Sequence, residues 1–106
     1  MDQGQSGGTS VMMVTVTYRA AEFIERYLLS VKDIFEQDAR FKLTIVDNAS
    51  PDNTLEVVGR FIDEHNLSER MTLVDAGVNG GFGFGCNLGA KQRTSEEFIW
   101  FVNPDT

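Results

Sequence analysis

Several carboxylates and carboxamides in this chain directly follow apolar runs, the positions from which a side chain can reach a ligand. Asp47 and Asn48 follow KLTIV, Asp75 follows MTLV, and Asn103, Pro104 and Asp105 follow FIWFV. Carboxylates so placed suit a hard divalent cation such as Mg²⁺ or Mn²⁺, which in turn binds phosphate oxygens. Asn103 sets an amide oxygen two positions before the Asp105 carboxylate, with Pro104 stiffening the turn. The plainer reading is that Asp47 and Asp105 cap turns and helix starts, the commonest work of aspartate. Both readings stand at this point.

The most distinctive stretch is Asn79-Gly80-Gly81-Phe82-Gly83-Phe84-Gly85-Cys86-Asn87. Glycines there permit positive φ and close approach of backbone to a ligand. The dinucleotide pattern G-x-G-x-x-G fails, because Cys86 or Leu88 stands where its last glycine belongs. The phosphate-loop pattern fails as well. Gly80 and Gly85 have its spacing, but Cys86 replaces the lysine. The alternative is a flexible connection whose Phe82 and Phe84 plug the core. Cys86 lacks a neighbouring His and reads as a small buried hydrophobe. His65 falls at a helix end, where a cation suits the dipole.

Alternating strands and helices must position these groups. Residues 11–17 (VMMVTVT) read as a buried strand, and residues 42–47 and 71–75 as two more. Residues 22–37 carry Ile24, Leu28, Val31 and Phe35 on one helical stripe with charges opposite. Ser50 and Pro51 resemble the start of a second helix, over 52–64, which buries Leu55, Val58 and Ile62. A short third helix is expected over 85–93, and a fourth strand over 98–103 with Trp100 in the core. Crossover helices require parallel strands, and apolar runs imply a sheet covered on both faces. The expected fold is α/β, a Rossmann-like three-layer α/β/α arrangement with strand order 3-2-1-4. Ligands of such sheets lie at the carboxyl ends of the strands. Tyr18, Asp47, Asn48, Asp75 and Asn103 to Asp105 should therefore share one rim.

Composition narrows the function classes. With 106 residues there is room for one small domain. Sixteen acids against nine bases give a net charge of −7, which argues against a nucleic-acid partner. Residues 1–10 are small and polar and read as a flexible tail rather than a targeting segment. No apolar run approaches the roughly 20 residues that span a bilayer. A single cysteine excludes an intrachain disulfide and points to a reducing, cytoplasmic compartment.

Together these elements resemble the N-terminal, nucleotide-sugar-binding half of a family 2, GT-A-type glycosyltransferase. The resemblance rests on Val16 to Arg19, Ile45 to Asp52, Asn79 to Asn87 and Phe101 to Thr106, in family order. The N-P-D ending in place of D-x-D, with V-D-N-x-S and G-F-G-x-x-N, is most similar to rhamnosyltransferase-like members. The resemblance implies that Thr17 and Tyr18 contact the base or ribose, and that Asp47 and Asn48 stand where an acidic pair reads the base edge. Asn79, Gly81 and Asn87 would shape the loop beside the ribose and pyrophosphate. Asp105 would be the Mg²⁺ or Mn²⁺ ligand, with Asn103 a neutral partner or ribose contact. The donor implied is a nucleoside-diphosphate sugar, with dTDP-rhamnose as one case.

Residues 11–106 would form this donor half. The acceptor half and catalytic base of the family follow the D-x-D region, so no catalytic residue is assigned and the chain is expected to be inactive alone. A non-catalytic nucleotide- or metal-binding or interaction module is the alternative. The fourth strand is expected to be an apolar edge that drives a homodimer or higher oligomer.

Overall fold

A computed structural model describes residues 10–104; Asp105 and the first nine residues lie outside them. Four parallel strands form one sheet: β1 (Val11–Thr17), β2 (Phe41–Asp47), β3 (Met71–Asp75) and β4 (Phe98–Phe101), in the order β3-β2-β1-β4. This is the expected 3-2-1-4 order. The register sets Thr17 opposite Asp47, and Asp47 opposite Asp75, so three polar residues meet at the carboxyl rim.

The pleat sends alternate residues to opposite faces. Met13, Leu43, Ile45 and Met71 point to the face that carries helices α1 (Ile24–Gln37) and α2 (Thr54–Glu64). From α1 come Ile24, Leu28, Val31 and Phe35, the stripe set by the 3.6-residue period. From α2 come Val58, Phe61 and Ile62, while Leu55 is half-buried. This single cluster is the core.

The opposite face carries helix α3 (Phe82–Ala90) over the middle strands. A Cβ on Gly89 would stand 2.4 Å from Val14 Cγ1, and one on Gly85 would stand 2.8 Å from Val16 Cγ1. Glycines four apart thus let the α3 backbone lie against the sheet. α3 begins three residues before the expected 85. Glycine propensity argued for loop here, but packing against β1 outweighs it. Phe82 and Phe84 are exposed, so they do not plug the core.

Two further expectations are corrected. Phe98, Trp100 and Phe101 are 60%, 52% and 47% exposed, so Trp100 is not a core residue. Among the described residues β4 pairs with β1 alone, and Trp100 leans on Phe41 with ring centroids 6.3 Å apart. Ser50 does not cap α2. Asp52 does that work, its Oδ1 accepting the Thr54 amide at 3.1 Å and the Thr54 hydroxyl at 2.5 Å.

The far end of α1 is closed from a distance. Its last turn has no basic residue. Instead the Arg70 guanidinium donates to the carbonyls of Phe35, Asp38 and Phe41 at 2.9–3.2 Å and lies 4.3 Å over the Phe35 ring. A cation that satisfies orphan carbonyls also meets the negative end of the helix dipole. No helix among the described residues is long and apolar enough to cross a membrane.

Candidate functional site

The strand order places a crevice where the chain reverses direction across the sheet, between the ends of β1 and β4. A cleft of about 290 Å³ opens there. Its walls are Thr17 at the end of β1 and Tyr18 after it, Asn48 after β2, Asn79, Gly81 and Phe82 at the start of α3, and Asn103 and Pro104 after β4. Six of the nine residues singled out from the sequence therefore converge on one cleft. Asn87 sits exposed on α3 and does not line it. Asp105 lies outside the described residues.

Asp47 stands behind the cleft, fully buried. Its Oδ1 accepts hydrogen bonds from the hydroxyls of Thr17 at 2.8 Å and Ser50 at 2.6 Å. Its Oδ2 accepts from the Ser50 amide at 2.9 Å. A carboxylate removed from water is costly without such hydrogen-bond partners. Its neighbour Asn48 is 3% exposed and differs in one respect. The Asn48 Nδ2 donates to the Gly81 carbonyl at 3.0 Å, which fixes the amide's orientation. Its Oδ1 is buried with no hydrogen-bond partner.

Gly81 is itself held. Its φ of +93° suits glycine, and its amide donates to the Asn79 side chain at 3.1 Å. The Asn79 turn and the Asn48 amide thus anchor the N-terminus of α3 to the end of β2.

The two loops that frame the cleft are strained and cross-linked. Arg19 (φ +56°) and Ala49 (φ +57°) are non-glycine residues in the left-handed region, each costing roughly 1–2 kcal/mol. The Arg19 amide donates to the Ser50 hydroxyl at 2.9 Å, and the Ala20 amide to the Thr54 hydroxyl at 3.0 Å. The Thr54 hydroxyl holds the Asp52 carboxyl below its ordinary range. Sequence reasoning missed Ser50 and Thr54 as part of the site. The signal present was their hydroxyls flanking Asp52 one turn beyond Asp47.

Cys86 is half-buried, and burial pushes its thiol up, which disfavours the nucleophilic thiolate. Among the described residues, no three His, Cys, Asp or Glu side chains gather to hold a metal. The hard donor described at the β4 corner is the Asn103 amide oxygen. A cation there would need further oxygen donors, a ligand's own phosphate oxygens among them, to complete its shell. That donor set fits Mg²⁺ or Mn²⁺ better than a softer metal.

A second hollow of about 530 Å³ lies between α1 and β4. It is lined by Phe23, Tyr27, Ile34, Trp100 and Val102 among others, and shares Asn103 and Pro104 with the first.

Residues 12–106 match the sequence model of a family described as Glycosyl transferase family 2. No curated protein sequence matches the chain significantly. Among solved structures, the chain is similar to the mannosyltransferase PcManGT of Pyrobaculum calidifontis in complex with GDP-Man and Mn²⁺. The TM-score is 0.77 and the identity 28%, over 90% of this chain and 27% of that one. It is also similar to S. aureus TarS 1-349 (TM-score 0.73, 28% identity, 92% and 28% covered) and to that protein in complex with UDP-GlcNAc (0.73, 27%, 92% and 27%). The chain thus spans little more than a quarter of the length of these structures.

Proposed function

The chain belongs to glycosyl transferase family 2, and from that premise we propose that its cleft binds the nucleoside end of a nucleoside-diphosphate sugar, the donor for inverting sugar transfer. The observation that carries this reading is the orphaned Oδ1 of Asn48. A buried carbonyl without a donor is costly, and a ligand N–H removes that cost. Because the Asn48 nitrogen is committed to Gly81, the amide cannot turn to offer a donor instead. An N–H of the base meets this need, whether the ring N–H of uracil, thymine or guanine or the exocyclic amino group of cytosine or adenine. Solved relatives are in complex with a guanine and with a uracil nucleotide, both of which carry such an N–H.

The remaining residues take complementary parts. Tyr18 is exposed beside the cleft and offers a ring face to the base or ribose. Thr17 and Asp47 stiffen the floor under it. Asn79 and Gly81 shape the wall beside the ribose and pyrophosphate, with Asn87 further along α3. Asn103 and Asp105 would hold the divalent cation, whose charge neutralises the diphosphate when bound. The N-P-D and V-D-N-x-S forms favour dTDP-rhamnose as the donor, and the lone Cys86 favours a reducing, cytoplasmic setting.

No described residue lining the cleft is a carboxylate or histidine able to take a proton from an acceptor. We therefore assign donor binding, and no proton transfer from an acceptor, to the described residues of this cleft. A non-catalytic nucleotide-binding module would use the same cleft. Sugar transfer by a protein containing this chain separates the two.

Calorimetry with dTDP, UDP, GDP and CDP in Mn²⁺ tests the donor site. At least one of the four is expected to bind with a Kd in the millimolar range or tighter, worth about 4 kcal/mol or more. Chelating the metal should weaken it, since a chain of charge −7 repels a diphosphate. Failure of all four to bind the folded chain at millimolar concentration defeats the reading.

We also propose self-association through β4, whose backbone edge and exposed Phe98, Trp100 and Phe101 form an apolar border. Light scattering should give at least twice the 11.8 kDa chain mass. A monomer persisting at high concentration would show that this edge is not a self-association site.

A further inference from the structure

We propose that Ser50 is a positioning residue for the donor cleft, holding Tyr18 and Asn48 at fixed places beside one another at the ends of β1 and β2. This rests on the cleft's binding a nucleoside diphosphate. The Ser50 hydroxyl joins both framing loops: it accepts the Arg19 amide from the loop after β1 and donates to Asp47 at the end of β2. The Ser50 amide is fixed to the other Asp47 oxygen. Its position is thus determined from three sides.

The backbone on either side explains why such a fixture is needed. Arg19 follows Tyr18 and Ala49 follows Asn48, and both adopt positive φ without being glycine. Strained backbone of this kind persists where the surroundings over-determine it. Ser50 touches both strained residues, Arg19 by a hydrogen bond and Ala49 by the chain itself. If it lets go, each relaxes and the wall residue one position earlier turns with it. The fold does not depend on this one link. The Thr54 hydroxyl and the Asp52 carboxylate tie the Ala20 and Ala21 amides to the start of α2 independently. Ser50 itself is partly exposed, so its removal falls on geometry more than on burial.

The test measures affinity and stability together on the 106-residue chain, with UDP and GDP in Mn²⁺ as ligands. Ser50→Ala is expected to weaken binding at least 10-fold at a temperature where it remains folded, while loss of one hydrogen bond to the Asp47 carboxylate lowers Tm by about 6–12 °C. Ser50→Thr, which restores the hydroxyl, should bind within about threefold of the parent, a rescue that lost packing alone would not give. Ala49→Gly keeps every hydroxyl and takes up positive φ without strain, so alone it should bind within about threefold of the parent. In the Ser50→Ala background it should return part of the lost affinity, because the strain that Ser50 restrains is gone. If Ser50→Ala does not fold, Ser50→Cys, whose thiol is a weak donor and acceptor, takes its place in both comparisons. Binding by the Ser50 variant within twofold of the parent, or no recovery on adding Ala49→Gly, overturns the inference. Failure of the parent chain to bind either nucleotide overturns the donor-site reading before any variant is compared.

Discussion

Asp47→Ala should remove about 4 kcal/mol of stability, the largest effect of any single truncation at this site. The carboxylate is fully buried and accepts three hydrogen bonds, two from hydroxyls and one from a backbone amide. Hydrogen bonds to a charged group are worth about 1.5–3 kcal/mol each, and three that share one residue are not additive, which sets the total near 4. Alanine would also strand the buried Thr17 hydroxyl without its acceptor. A domain of this size has about 5–15 kcal/mol in all. In urea, with a slope of about 1–1.5 kcal/mol/M, the midpoint should fall by roughly 3 M. Far-UV circular dichroism would follow it. A shift below about 0.5 M would mean that Asp47 is solvated and its three bonds contribute little. Ligand binding by this variant is informative only at urea-free conditions where it remains folded.

Gly89→Val should cost about 3 kcal/mol by lifting α3 from the sheet. The Cβ alone would sit 2.4 Å from Val14 Cγ1 and 3.3 Å from Val46 Cγ2, on strands that cannot retreat because the main core lies behind them. Alanine has better helix propensity than glycine by at most about 1 kcal/mol, too little to offset the overlap even in Gly89→Ala. Amide exchange in α3 should quicken more than in β1. The companion change Val14→Ala should return much of the loss in the Gly89→Ala background, with a coupling of about 1 kcal/mol or more. Stability of Gly89→Val equal to the parent would show that α3 rides more loosely than its glycines imply.

Much of this architecture can be read from residue patterns because the patterns are physical requirements. The stripe Ile24, Leu28, Val31 and Phe35 fits one face of a helix, and the runs after residues 10, 40 and 70 fit strands buried on both sides. Polar residues at the ends of those runs then share a rim by topology alone. The failures share a cause, which is that tertiary partners are not visible in local sequence. The Gly80 to Gly85 stretch has loop propensity, yet close approach to Val14 and Val16 makes most of it helix. Phe98 to Phe101 reads as core because it is apolar, but burial needs a covering layer, and none of the described elements supplies one. Ser50 had the local context of a helix cap. Its hydroxyl instead finds Asp47, a partner whose nearness depends on the turn at Ala49. The orphaned Asn48 oxygen, which carries the functional reading, has no sequence signal beyond its place beside Asp47.

The Arg70 clasp bears on the order in which the chain can mature during synthesis. The carbonyls it serves lie 29–35 positions earlier, at the end of α1 and the start of β2. A nascent chain has all of α1 by residue 37, but no basic side chain of its own to close the final turn. That turn frays in the growing polypeptide, as isolated short helices do, until β3 arrives with Arg70. The amino-terminal β-α-β unit therefore becomes fully ordered only when the next strand has been made, and the smallest stretch able to persist on its own extends through Asp75 rather than stopping at Asp47.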